Sequence, residues 1–272
     1  MISRQKIILS SCHRVIRAQR ASACHRVNFP MSHLPTITLL GIPVHDVTMA
    51  ETLELIAQFV ADGGAHQICT VNPEFIMTAQ NDLDFRRILN HAALNLPDGI
   101  GVIWAARRQG RALRERVAGS DLIYQLADRA AKTGWRIFLL GAAEGVADQA
   151  ALKLQTLYPG VKIVGAWAGS PRPEDDAEAV RRINAAEADI VLVAYGAPKQ
   201  DKWIDRNLRR SGARVAIGVG GSFDFVVGTQ RRAPQWIRRL NLEWLYRLVR
   251  EPWRWRRQLA LPRFVWRVMR NT

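Results

Sequence analysis

From about residue 36 the chain alternates between short apolar runs and longer amphipathic ones. "TITLLGIPV" (36–44) reads as a β-rich run. "MAETLELIAQFV" has the three- and four-residue spacing of a helix, with Thr48 placed to cap its N-terminus. "HQICTV" predicts a second strand, which ends at "NPEF", where Pro73 can open a helix. "AALNL" predicts a third strand, followed by helices around 101–108 and 120–133. The alternation then becomes regular. "WRIFLLG" leads into a helix over 144–157, "VKIVGAW" into 174–187 and "DIVLVAYG" into 199–210, and "ARVAIGVGG" is a last strand. Continuous apolar strands separated by amphipathic helices predict an α/β fold, a Rossmann-like parallel sheet with helices on both faces.

Ligands of such sheets gather at the carboxyl ends of the strands. Five loops fall there: "TVNPE" (70–74), "LPDGIG" (96–101), "LLGAAEG" (139–145), "YGAPKQDKW" (195–203) and "GVGGSFDF" (218–225). Small residues at these points, among them Gly141, Ala142 and Gly196, let the backbone approach a phosphate or a ring closely. Neither "GIGVIW" nor "GVGGSF" completes a dinucleotide fingerprint, and no cofactor is implied. Asp98 is the carboxylate best placed for acid–base work, although on spacing alone it reads as an ordinary Asp-Gly turn. Ser120 in "GSDL" reads as a helix N-cap. Asp82 and Asp84 form a D-x-D string of the kind that can hold a metal and a sugar nucleotide. They stand at the start of a predicted helix instead of a strand end, where acidic residues favour the first turn. His45, His66 and His91 are scattered, and Cys12, Cys24 and Cys69 lack metal-ligand spacing, so no metal site is expected.

Charge divides the chain into three parts. Residues 228–272 carry twelve Arg against Glu243 and Glu251, a net +10, and residues 1–30 carry six basic residues and no acid. That leaves −1 of the total +15 for residues 31–227. The reading is an N-terminal extension over 1–30, disordered or absent from the working protein, an α/β body over 31–227, and a basic, Trp-rich helical appendage over 228–272. The appendage's "EPWRWRRQLALPRFVWR" suits either a nucleic acid, through phosphate contacts and stacking, or an anionic membrane surface with Trp at the interface. The near-neutral body disfavours nucleic acid. No run of 18 uncharged apolar residues is present.

Taken together, "TVNPEF", "PDGIGV", "RVAGSDL", "FLLGA", "GAPKQDKW", "GVGGSFDFVVG" and "RAPQWIRRLNLEWLYRLVREPWRWRR" resemble, in order, the WecG/TagA/CpsF glycosyltransferase family over about residues 36–258. The resemblance implies an inverting, metal-independent enzyme on the cytoplasmic face of a bacterial inner membrane. Such an enzyme moves a sugar, commonly N-acetylmannosamine, from a UDP-sugar to an undecaprenyl-diphosphate-linked acceptor for cell-surface polysaccharide or teichoic acid. A UDP-hexose transfer for exopolysaccharide is the alternative within the class. The same resemblance makes Asp98 the general base and sets Thr70 and Asn72 beside the donor sugar. It places Arg116 and Gln200 in the active site and Asp224 near the nucleoside, and it gives the cations that meet the UDP charge as Arg247, Arg254 and Arg257. The sequence departs from the family at Asp201, where Glu is more usual. A homo-oligomer is compatible with this reading.

Overall fold

The computed structural model describes residues 34–230, 233–234, 237, 243–250, 255 and 259–271. The expected extension over 1–30 lies outside them. A hairpin comes first, β1 (Thr36–Leu39) and β2 (Ile42–His45), paired antiparallel with Leu39 opposite Ile42. The sequence read this stretch as one β-rich run. The two-residue turn Leu40–Gly41 has positive φ at both positions (50° and 79°), which reverses the chain. An apolar run with so small a break carries no periodic sign of reversal.

Thr48 and Glu51 form a capping box at the start of α1 (Met49–Asp62). Strand β3 (His66–Val71) is followed by α2 (Pro73–Ala79) and α3 (Leu83–His91), then β4 (Leu94–Pro97). Helices α4 (Ile100–Arg108) and α5 (Gly119–Thr133) lead to β5 (Arg136–Gly141). The regular alternation follows: α6 (Val146–Leu157), β6 (Lys162–Trp167), α7 (Asp176–Ala185), β7 (Ile190–Ala194), α8 (Lys199–Asn207) and β8 (Val215–Gly218). Short α9 (Ser222–Val227) comes next, then α10 (Glu243–Arg250) and α11 (Ala260–Arg270).

The other six strands form one parallel sheet in the order β4-β3-β8-β7-β5-β6. Strands β7 and β8 are buried along their whole length, as expected for a sheet covered on both faces. The hairpin joins this body through Asn95 of β4. Its backbone N–H donates to His45 Nδ1 (2.9 Å), and its amide donates to the carbonyls of Pro43 (2.9 Å) and Leu89 (2.7 Å). Burial holds the His45 pKa below its usual value, so the ring is neutral and accepts that bond.

The last helix is part of the core. Phe264 and Val268 of α11 are buried among Phe75, Ile76, Val102 and Ile103 from α2 and α4. The opposite side of α11 is exposed, with Trp266 at 57% and Met269 at 59%.

Candidate active site

Strands β3, β4, β7 and β8 end at one edge of the sheet, and the loops that follow them enclose a cleft of about 480 Å³. That size lies within the usual range for a small-molecule site, ~300–1,000 Å³. Its lining includes Thr70, Asn72, Asp98, Arg116, Gly196 and Gln200. Six positions singled out from the sequence, spread over 130 residues, therefore share one cavity. Gly141, Ala142 and Asp224 are not among its lining. Arg254 and Arg257 lie outside the described residues, as does the side chain of Arg247.

Asp98 follows the last residue of β4. Its backbone N–H donates to the Val71 carbonyl (2.8 Å), so the loop is fixed across the end of β3. Gly99, at φ 105°, then turns the chain into α4. On the other side of the loop, the Val117 N–H donates to the Pro97 carbonyl (2.9 Å), and this brings Arg116 to the same wall. Arg116 also lies 3.9 Å from the Asp121 carboxylate.

Thr70 is buried, and its hydroxyl donates to the Gly218 carbonyl (3.1 Å), tying β3 to β8. Its proton is committed, so Thr70 meets a ligand as an acceptor. Asn72 caps α2 by accepting from the Phe75 N–H (3.0 Å), which leaves its amide nitrogen as the group it can offer. Gln200 is buried at 1% exposure. Its Oε1 accepts from the Gly196 N–H (3.1 Å) and the Gly220 N–H (3.0 Å). One side chain thus joins the loop after β7 to the loop after β8. Gly218 is required beside it, because a Cβ there would collide with the Gln200 amide.

Ser120 does not cap α5. The helix begins at Gly119 with Ala118 as its N-cap, no side chain caps it, and Ser120 lines the cleft. The cause is Gly119: a Cβ there would come within 3.1 Å of Thr70 Cγ2, so glycine lets the helix start press against β3. The first turn of α5, the positive end of a 15-residue helix, is therefore at the cleft. The sequence reading gave no cleft role to Ser120, Tyr195 and Gln230, nor to Ala260 and Leu261 at the start of α11. Leu261 packs over the first turn of α4, with its Cδ1 3.4 Å from where a Cβ on Gly101 would stand.

The remaining candidates have structural work. Gly141, at φ 106°, allows β5 to approach β7, since a Cβ would fall 2.8 Å from the Ala194 backbone. The Ala142 N–H donates to the Ala194 carbonyl (3.1 Å). Asp224 lies beside the turn after α9, its carboxylate 3.4 Å from the Thr229 hydroxyl. Asp82 caps α3 through the Phe85 N–H (3.0 Å) and pairs with Lys202 at 2.8 Å, and Asp84 lies 3.5 Å from the same ammonium. These bonds hold the Asp82 pKa below its ordinary value against the opposing effect of burial. The D-x-D string is thus a helix start anchored to α8. Among the described residues no three His, Cys, Asp or Glu side chains gather as a metal site.

Under the cleft, next to Gln200, Asp201 is fully buried, and neither carboxyl oxygen has a hydrogen-bond partner. Burial pushes its pKa up to about 7, with the Cys69 thiol as its neighbour. The same burial, and the proximity of Asp201, push the Cys69 thiol well up.

Comparison with known proteins decides the family. The model of the glycosyl transferase WecG/TagA/CpsF family matches residues 37–272. The chain belongs to this family. The N-acetylglucosaminyldiphosphoundecaprenol N-acetyl-beta-D-mannosaminyltransferase of Bacillus subtilis is 37% identical over 240 residues, which is 88% of this chain and 93% of that protein. The enzyme of the same name from Bacillus spizizenii is 37% identical over 204 residues, 75% of this chain and 79% of its own length. The family match extends through α11, beyond the point near residue 258 where the motifs read from the sequence end.

Proposed function

We propose that the protein transfers N-acetylmannosamine from a UDP-sugar to the N-acetylglucosamine of an undecaprenyl-diphosphate-linked acceptor, with inversion and without a metal. The observation that carries this reading is the convergence of Asp98, Thr70, Asn72, Arg116 and Gln200 on one cleft at the carboxyl edge of the sheet. The named activity of the two Bacillus relatives supports the choice of sugar and acceptor.

In this mechanism an acceptor hydroxyl attacks the anomeric carbon on the face opposite UDP. Asp98 takes the hydroxyl proton as the new C–O bond forms. The bond to the diphosphate oxygen breaks, and UDP leaves with the electron pair. A positioned base typically contributes about 10²–10⁴-fold. The charge on UDP is met by Arg116 and by the N-terminus of α5, which lie on the same cleft. Arg247, Arg254 and Arg257 add cations in this reading. The protein works at the cytoplasmic face of the membrane, held at its surface by the basic C-terminal segment. No described helix is long and apolar enough to cross a bilayer.

The test is a panel of UDP-sugars offered with a short-chain lipid-linked N-acetylglucosamine acceptor. UDP-N-acetylmannosamine should give product at a rate well above UDP-glucose and UDP-glucuronic acid. A preference for either of those would replace this reading with hexosyl or uronosyl transfer for an exopolysaccharide.

A further inference from the structure

Beside the catalytic cleft lies a second concavity, of about 750 Å³ and almost wholly apolar, between α10, Trp255 and α11. Its walls include Leu248, Trp255, Leu261, Val265, Trp266 and Met269. Trp255, Trp266 and Met269 are each more than half exposed. These exposed apolar side chains line one continuous concavity instead of being scattered singly, the arrangement of a binding groove. Two features say what it binds. The first is continuity: Leu261 lines both this groove and the catalytic cleft, so an apolar group leaving the cleft would enter the groove directly. The second is charge: Arg263, Arg267 and Arg270 share α11 with the apolar wall, and the Arg270 guanidinium sits 4.7 Å above the Trp266 ring. A ligand with an anionic head and a long apolar chain matches both.

We propose that the groove receives the first isoprene units of the acceptor's polyprenyl chain, while the diphosphate stays at the cleft mouth. The proposal rests on the lipid-linked acceptor of the proposed function and adds a place for its lipid. A bilayer or a second copy of the chain could also cover an apolar face, but neither occupant needs it to open into the cleft. The groove fixes which end of the lipid enters, and it gives the enzyme a means of distinguishing a prenyl chain from none.

Binding of geranyl diphosphate and heptaprenyl diphosphate to the intact protein, in the same detergent and without donor, tests this. Burying a few more isoprene carbons should make the wild-type protein prefer the longer chain by about tenfold or more. In the double variant Trp266→Glu/Met269→Glu that preference should fall to less than about threefold. Both residues are exposed, so the fold should survive, and an unchanged Tm checks it. Leu248→Glu, from α10, should act in the same direction. A chain-length preference that is absent in the wild type, or that survives in both variants, overturns the proposal. So does a variant that keeps the preference yet no longer floats with anionic liposomes, or no longer self-associates, since the groove would then be a membrane or subunit face. The measurement needs no turnover, so failure of the sugar-transfer reading would register separately, as absence of product in the donor panel.

Discussion

Asp98, Thr70 and Gln200 touch the cleft through different kinds of chemistry, and they differ in how far the sequence alone shows them. Asp98 stands out as a carboxylate directly after an apolar strand, but its spacing alone reads as an ordinary Asp-Gly turn, and only the resemblance makes it a base. Thr70 and Gln200 were found only through the resemblance, because their value lies in bonds across the sheet that no local pattern records. Gln200 holds two backbone N–H groups 20 residues of chain or more from one another, at Gly196 and Gly220. Replacing it with Ala orphans both donors, each at a cost of about 1–3 kcal/mol. Gln200→Ala should weaken UDP-sugar binding by about tenfold or more, read by titration calorimetry, and unchanged affinity would contradict this role. Asp201 next to it gives a prediction in pH. Unfolded, its carboxyl ionises near the ordinary value of ~4, whereas burial keeps it protonated up to about 7 in the folded protein. Between those values the folded state binds more protons, so this group makes stability fall as pH rises, with the full cost present above about 7. Asp201→Asn should flatten the decline in Tm between pH 5 and pH 7.5, and an unaltered slope would show that the carboxyl ionises without penalty.

At the scale of elements, periodicity located the strands and helices of the regular half because each apolar run there has one job. "DIVLVAYG" is β7 and "ARVAIGVGG" holds β8, both wholly buried. Pattern reading failed where a single contact overrides it. The 36–44 run folds back at Leu40–Gly41, and α5 starts before Ser120 because Gly119 can touch Thr70. Helix α11 lies in the stretch read as a helical appendage, but its packing differs from that reading. Its sequence "ALPRFVWRVMR" reads as basic and aromatic, so it was assigned by composition to a membrane-facing appendage. Yet Phe264 and Val268, four residues apart, are buried at 0% and 2% exposure among α2 and α4. Half of the helix belongs to the core, and only the other half faces outward. Phe264→Ala should therefore cost about 3–5 kcal/mol of stability, as large-to-small core changes do, measured by urea unfolding. A change below about 1 kcal/mol would show that α11 is a detachable tail. Deleting residues 229–272 would strip the core of Phe264 and Val268, so such a truncation would report on folding as well as on function.

At the scale of the molecule, a near-neutral body and a C-terminal segment of +10 make a polarised protein, with its cleft beside the basic end. Arginines near an anionic surface contribute about 1 kcal/mol each. Half of the twelve would hold the protein on a membrane without a spanning helix. The protein should float with anionic liposomes at low salt and be released as salt screens the attraction. Equal flotation with neutral liposomes would contradict an electrostatic anchor. The proposed transfer mechanism turns on Asp98 as its base. The most direct measurement compares wild type with Asp98→Asn, using UDP-N-acetylmannosamine and a short-chain lipid-linked N-acetylglucosamine acceptor in EDTA. The wild type should form the disaccharide with inverted anomeric configuration. The variant should bind the donor and lose about a hundredfold or more in rate. A variant that keeps more than about a tenth of the wild-type rate, a product of retained configuration, or activity that vanishes in EDTA and returns with Mn²⁺ or Mg²⁺ would contradict the account.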